Sequence, residues 1–381
     1  MSWPLVNIND ICRPKQWKTV SSSKLLEEGY PVYGANGRIG YYSEYTHEFP
    51  TLMITCRGAT CGNVHISVPK AYINGNAMAL DGLDSEKYSI KYLFYYFKSR
   101  GFNDVISGSA QPQITRQGLS KIEIPLPPLP VQKKIAAVLE KADTLRSQCL
   151  QMEQELNSLA QSVFLDMFGD PVLNPNYWPQ VTISDIVRKP LQNGAYYEKE
   201  LYTEDGVEMA HMSDTFYGVI KRGSIKRVNV PEKDIKKYAI TNNDILVTRR
   251  SLVYEGAAKP CLIPRSSEPL IYESSMIRVS PDLERVLPEY LFHYLCNDRA
   301  RAKSILPYVT KSTISGINQT NLSKVVVQIP PIELQIKFVD KVKAAEQLKC
   351  DVVEQFSNLQ DNFNSLMQRA FKGELELKDV A

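Results

Sequence analysis

Two long stretches of the chain carry an apolar residue every three or four positions, and both open on a proline pair. Pro127-Pro128-Leu129-Pro130 cannot continue a helix but can begin one, because a proline in the first turn loses only an N–H that had no partner. From there Ile135, Leu139, Ala142, Leu145, Cys149, Met152, Leu156, Leu159, Val163 and Met167 follow a rough 4-3 rhythm until Gly169-Asp170-Pro171 ends it. Pro330-Pro331 open the second run, which continues through Phe338, Val342, Ala345, Leu348, Val352, Phe356, Leu359, Phe363 and Leu366 to Lys372-Gly373. A stripe this narrow predicts a coiled-coil seam, and a helix over 130–168 is about 58 Å long. Between the runs lie short β-prone segments, among them Thr51–Thr55, Ile245–Thr248, Met276–Val279 and Val325–Ile329, with helical stretches at Ile90–Ser99 and Pro288–Asn297. The alternation predicts α+β globular domains.

The chain also resembles itself. WPLVNINDI from Trp3 returns as WPQVTISDI from Trp178, six identities in nine at an offset of 175. TLMITCR ending at Arg57 parallels DILVTRR ending at Arg250 (offset 193), and YLFYYF from Tyr92 parallels YLFHYL from Tyr290 (offset 198). LSKIEIPLPPLPVQKK from Leu119 lines up with LSKVVVQIPPIELQIK from Leu322 at offset 203. Order is kept while the offset grows from 175 to 203, so the second copy carries about 28 extra residues, some 18 of them before Asp244. The predicted organisation is a globular domain over 1–128, a long helix over 129–170, a second globular domain over 171–330, a second long helix over 331–375, and a tail over 376–381. Periodicity alone favours a helical hairpin that merely stabilises the chain. Two similar domains alternating with two similar helices point further, to an antiparallel coiled coil and a pseudo-twofold object suited to two separated half-sites on a duplex.

Composition changes this picture little. The chain has 381 residues, 43% hydrophobic and 23% charged, and 45 basic against 42 acidic side chains give a formal +3, too small to name a partner. No secretory leader or run of about 18 apolar residues is visible, so a cytoplasmic location without a membrane is expected. The seven cysteines are scattered with no C-x-x-C pair, and the four histidines form no ligand motif, so neither disulfides nor a bound metal are expected.

The candidate chemistry lies in the loops. Tyr33, Asn36, Arg38 and Tyr41 in a Gly-rich stretch, Arg57 and Asn63 in RGATCGN, and Gln111, Gln113 and Arg116 in GSAQPQITR supply the planar polar groups that phosphate and base-edge recognition use. In the second copy Lys221–Lys259 holds ten Lys or Arg against four Asp or Glu, including Lys221, Lys226, Arg227, Arg249 and Arg250. Lys311 and Ser312 stand where Gly108 and Ser109 lie in the first copy.

With the W-P-x-V-x-I-x-D-I openings, GANGRIGYY from Gly34, RGATCG from Arg57, NNDILVTR from Asn242 and the two proline passages, the whole chain resembles the specificity subunit of type I restriction-modification systems. That resemblance implies two target recognition domains, each reading one half of an interrupted double-stranded DNA sequence. It also implies that the two helices set the spacer and dock two modification (methyltransferase) subunits. S-adenosylmethionine, ATP and Mg are then expected on the modification and restriction (motor-nuclease) subunits, with no cofactor and no catalysis on this chain. Consistent with this division, the sequence has no G-x-x-x-x-G-K-[ST] loop, and NPNYW from Asn174 departs from the adenine-methyltransferase motif at its third position. The competing expectation is a protein-interaction scaffold with two binding domains on a coiled-coil arm.

Overall fold

The computed structural model describes residues 3–35, 37–108, 111–215 and 218–375. The chain forms two compact units, Met1–Gln151 with Val352–Ala381, and Met152–Asp351.

In the first unit, β1 (Leu5–Asn7) pairs antiparallel with β11 (Glu123–Pro125), and α1 (Ile8–Ile11) follows β1 directly. An antiparallel sheet runs in the order β2 (Arg13–Gln16), β8 (Ala77–Asp81), β5 (Leu52–Thr55) and β6 (Val64–Ile66). A smaller sheet centres on β3 (Tyr30–Gly34), antiparallel to β4 (Gly37–Tyr42) and parallel to β7 (Tyr72–Ile73). A hairpin of β9 (Ile106–Ser107) and β10 (Gln113–Ile114) leads to α3 (Arg116–Leu119). The core packs α2 (Ile90–Arg100) on the larger sheet, burying Leu52, Ile54, Tyr92, Leu93 and Phe97.

The second unit repeats this plan pairing for pairing. β12 (Gln180–Thr182) pairs with β22 (Val326–Gln328), and the larger sheet runs β13 (Val187–Asn193), β20 (Met276–Pro281), β16 (Ile245–Thr248), β18 (Pro260–Leu262). In the smaller sheet β14 (Tyr202–Ala210) is antiparallel to β15 (Arg227–Val228) and parallel to β19 (Leu270–Tyr272). β17 (Arg250–Ser251) pairs with β21 (Ser315–Gly316), and α6 (Pro288–Cys296) takes the place of α2, followed by α7 (Asp298–Ala300) and α8 (Gln319–Ser323). The extra residues before Asp244 include α5 (Glu232–Tyr238).

The long helices are α4 (Leu129–Phe168) and α9 (Ile332–Lys372), of 40 and 41 residues. In the first unit the start of α4, with Ile135 and Leu139, is buried beside Phe363 and Ala370 near the end of α9. In the second unit Phe164 and Phe168 at the end of α4 meet Phe338, Val339 and Val342 at the start of α9. The helices are thus antiparallel within each unit.

The seam keeps Leu139, Leu156, Val342, Val352, Leu359 and Leu366 covered, but the structure corrects four of its expected members. Leu145, Met152, Leu159 and Leu348 are 44%, 45%, 37% and 48% exposed. From Leu139 one line of covered positions runs Ala142, Arg146, Cys149, Glu153, Leu156, Ala160, Val163 and Met167, an alternation of three and four, with Asp143, Phe164 and Phe168 covered beside it. An apolar reading steps from Ala142 to Leu145 and slips out of that phase. Arg146 occupies the seam because its guanidinium stacks 4.7 Å from the Phe363 ring centre and donates to Gln360 Oε1 and Asp143 Oδ1, both at 2.6 Å. On α9 Lys349 takes the covered position beside Leu348.

Candidate nucleic-acid interface

In the first unit three loop regions far apart in sequence are stitched together. Arg57, just past β5, forms a bridge with Gln113 of β10; Gly58 N donates to Pro112 O (3.3 Å) and Ile114 N to Cys56 O (3.0 Å). The loop beyond Arg57 closes through Thr55 N to Asn63 O and Gly62 N to Thr55 O, both 2.8 Å. Gly58 and Gly62, at φ +91° and +96°, adopt the left-handed backbone this tight return requires. The hydroxyls of Thr55 and Thr60 both donate to Ala35 O at 2.8 Å, which ties the β3–β4 turn to the same place.

Arg57, Asn63, Gln111, Gln113 and Arg116 are exposed, so their side chains are presented outward. Arg38 is exposed and lies 5.5 Å from the centre of the Tyr41 ring. Tyr33, opposite Arg38 in the strand register, is half-buried, and its hydroxyl accepts from Val68 N at 3.3 Å. Its ring packs against the small core of Met53, Ile73, Ala77 and Ala79. Asn36 and Ser109 lie outside the described residues.

The second unit builds the corresponding stitch. Arg250 pairs with Gly316 as Arg57 pairs with Gln113, and Ile317 N donates to Arg249 O at 2.9 Å. Arg250 is exposed, whereas the Arg249 guanidinium donates to Ser274 O at 3.0 Å. Lys311 Nζ sits 4.4 Å above the Tyr254 ring, and Ser312 Oγ donates to Ile314 O at 2.6 Å. The loop between these residues is held from beneath. Buried Arg301 donates to the carbonyls of Glu255 (2.9 Å), Ala257 (2.6 Å) and Ala258 (2.9 Å).

The basic stretch Lys221–Lys259 does not form one patch. Arg227 is held by Glu268 (2.7 Å) and the carbonyl of Gly206 (2.9 Å), and Arg222 by Glu208, which is 1% exposed. Those two carboxylates come from outside the stretch, so counting charge along the sequence overstates the excess. Lys221 and Lys226 are exposed.

Polar side chains were the only recognition groups the sequence brought forward, and the structure adds apolar ones. Leu252, Val253 and Ile314 are 84%, 61% and 51% exposed on the loops beside Arg250 and Lys311. Exposed Tyr196 follows Ala195, whose carbonyl accepts from Ser274 N at 2.8 Å, next to the Arg249 contact. Apolar groups of this kind contact thymine methyls in a major groove. Two aliphatic residues one serine past the paired arginines, Leu252 and Val253 after Ser251, are the signal the sequence offers.

Burial raises the thiols of Cys56 and Cys61 and pushes those of Cys12 and Cys261 up to about 12, which keeps them protonated and poor as metal ligands. Among the described residues no cluster of His, Cys, Asp or Glu is placed to hold a metal, and no helix is long and apolar enough to cross a membrane.

The family described as type I restriction modification DNA specificity domain matches residues 2–158 and 175–358. A putative type I restriction enzyme specificity subunit of Haemophilus influenzae is 25% identical over 350 residues, covering 88% of this chain and 85% of its own length. The EcoKI specificity subunit of Escherichia coli is 24% identical over 304 residues, covering 74% and 65%. Among solved structures, the type I restriction-modification S subunit from M. genitalium shares the fold at TM-score 0.62 with 16% identity, over 97% of this chain and 96% of that one. The two matched segments correspond to the two copies built on one topology, and this chain belongs to the type I restriction-modification DNA specificity family.

Proposed function

We propose that this chain reads an interrupted, two-part sequence in double-stranded DNA, one half-site per unit. It directs adenine methylation and cleavage carried out by two modification subunits and by restriction subunits, which bring S-adenosylmethionine, ATP and Mg. The observation that carries this reading is the twice-built stitch, Arg57 with Gln113 and Arg250 with Gly316. Each stitch joins two loops that are remote in sequence and presents exposed cations beside groups able to read base edges. The two sets differ, Arg57, Gln111 and Gln113 against Arg250, Lys311, Leu252 and Ile314, as expected for two unlike half-sites.

Both long helices begin in one unit and end in the other, so their length enters the spacing between the half-sites. Selection by the full chain from a pool of random duplexes tests the reading. Two short conserved elements separated by a fixed run of unspecified base pairs are expected. A single continuous element, or none, contradicts it.

A further inference from the structure

The two copies share one more feature, where the chain leaves the stitched loops at α3 and α8. In the first unit α1, β2 and α3 bound a cleft of about 570 Å³ lined by Asn9, Cys12, Arg13, Arg116, Gln117 and Ser120. In the second a cleft of about 470 Å³ lies between the start of β13 and α8. Shifting the six lining residues by the repeat offsets, 175 for the opening and 203 for the helix, carries every one of them onto the lining of the second cleft. The same concavity is therefore built twice.

Two residues are kept in both clefts. Ser120 and Ser323 explain themselves: Ser120 Oγ donates to Gln117 O at 2.7 Å and Ser323 Oγ to Thr320 O at 2.9 Å, closing the same turn. Arg13 and Arg188 have no such account. The exposed guanidinium of Arg13 makes no hydrogen bond or ion pair among the described residues, and neither does that of Arg116 across the cleft. Arg188 lies 3.3 Å from Asp244, and exposed Lys189 stands next to it in the cleft. Each cleft thus offers two cations among amide and hydroxyl groups and no aromatic side chain, whereas the core of an interface for a protein partner is enriched in aromatic residues as well as Arg.

Groups that read bases must differ between unlike half-sites, and the stitched loops do differ. Groups that hold the sugar-phosphate backbone meet the same chemistry at both half-sites and are free to stay alike. We propose that each cleft seats a backbone phosphate of the bound duplex, with Arg13 and Arg116 in the first unit and Arg188 and Lys189 in the second as the charged contacts. This rests on the DNA reading above. Asp244 offsets part of the charge of Arg188, so the first cleft contributes more to the salt dependence of binding.

The test uses the full chain and two duplexes, one carrying the sequence it selects and one with that sequence scrambled, with affinity followed between about 50 and 200 mM salt. Arg13→Gln and Arg116→Gln are each expected to lower the slope of log affinity against log salt by about 0.9 and to weaken both duplexes by the same factor. Lys189→Gln serves in the second unit, because Arg188→Gln strips a partner from a buried carboxylate. Wild-type slopes in all three variants, with sequence selection intact, overturn the phosphate assignment alone. A loss confined to the selected duplex also overturns it, by making the clefts base readers. So does unchanged DNA binding with failed assembly on the modification subunits, which would make them protein docks. Absence of any sequence selection by the wild-type chain overturns the DNA reading itself.

Discussion

Gln132 and Gln335 show what a single side chain does in this fold. Both are essentially fully buried in the first turn of a long helix, where their carbonyl oxygens accept from Ser89 N (2.8 Å) and Leu287 N (2.9 Å). Their amides donate to Pro127 O and Pro330 O at 2.8 Å, and further to Lys87 O (3.3 Å) and Arg285 O (3.0 Å). Each locks a long helix to the loop ahead of the domain helix α2 or α6. Gln132→Ala or Gln335→Ala leaves three backbone groups without these partners, one of them a buried carbonyl, and a loss of about 1–3 kcal/mol is expected in urea unfolding. A loss below about 1 kcal/mol contradicts that role.

His293 sets a pH dependence. It sits edge-on to the Phe338 ring at 5.2 Å, and burial lowers its pKa to about 4. An unfolded imidazole takes up its proton near 6.5. Between about 6.5 and 4 the unfolded chain therefore binds more protons than the folded one, and stability falls as pH falls through that window, by about 3 kcal/mol over its full width. His293→Leu removes this slope. Unfolding measured at several pH values should show wild type losing stability relative to the variant on acidification, and parallel curves contradict the assignment.

Among elements, the strands and helices of the core were legible because local pattern decides them. Ile245–Thr248 is the strand it promised to be, and the long helix expected near Pro130 starts at Leu129. The phase of the seam was not legible, because apolarity alone cannot reveal that Arg146 finds Phe363, Gln360 and Asp143 and so outcompetes Leu145 for the covered position. The two residues make a direct comparison. Leu139→Ala, at a fully buried position, is expected to cost about 2–5 kcal/mol, whereas Leu145→Ala should stay within about 0.5 kcal/mol. Thermal or urea unfolding of both variants measures this, and equal losses contradict the seam described here.

For the whole molecule, duplication was legible from four short anchors, and with it the two-unit plan. The electrostatics were not, because Glu208 and Glu268 fold onto Arg222 and Arg227 from beyond the basic stretch. The loops that present Leu252 and Ile314 likewise meet through the long-range pairing of β17 with β21, which no local pattern reveals. Removing one heptad from each long helix preserves seam phase and shortens each by about 10 Å. The selected sequence should then lose about three base pairs from its gap while both half-sites stay the same. An unchanged gap contradicts a spacing role for the helices.

The central claim is that each unit reads its own half-site, and sequence selection by loop variants tests it most directly. Arg57→Ala with Gln113→Ala should relax or change one half of the selected DNA sequence and leave the other intact. Arg250→Ala with Ile314→Ala should do the reverse. If either pair alters both halves together, or neither, the two units are not independent readers and the account fails.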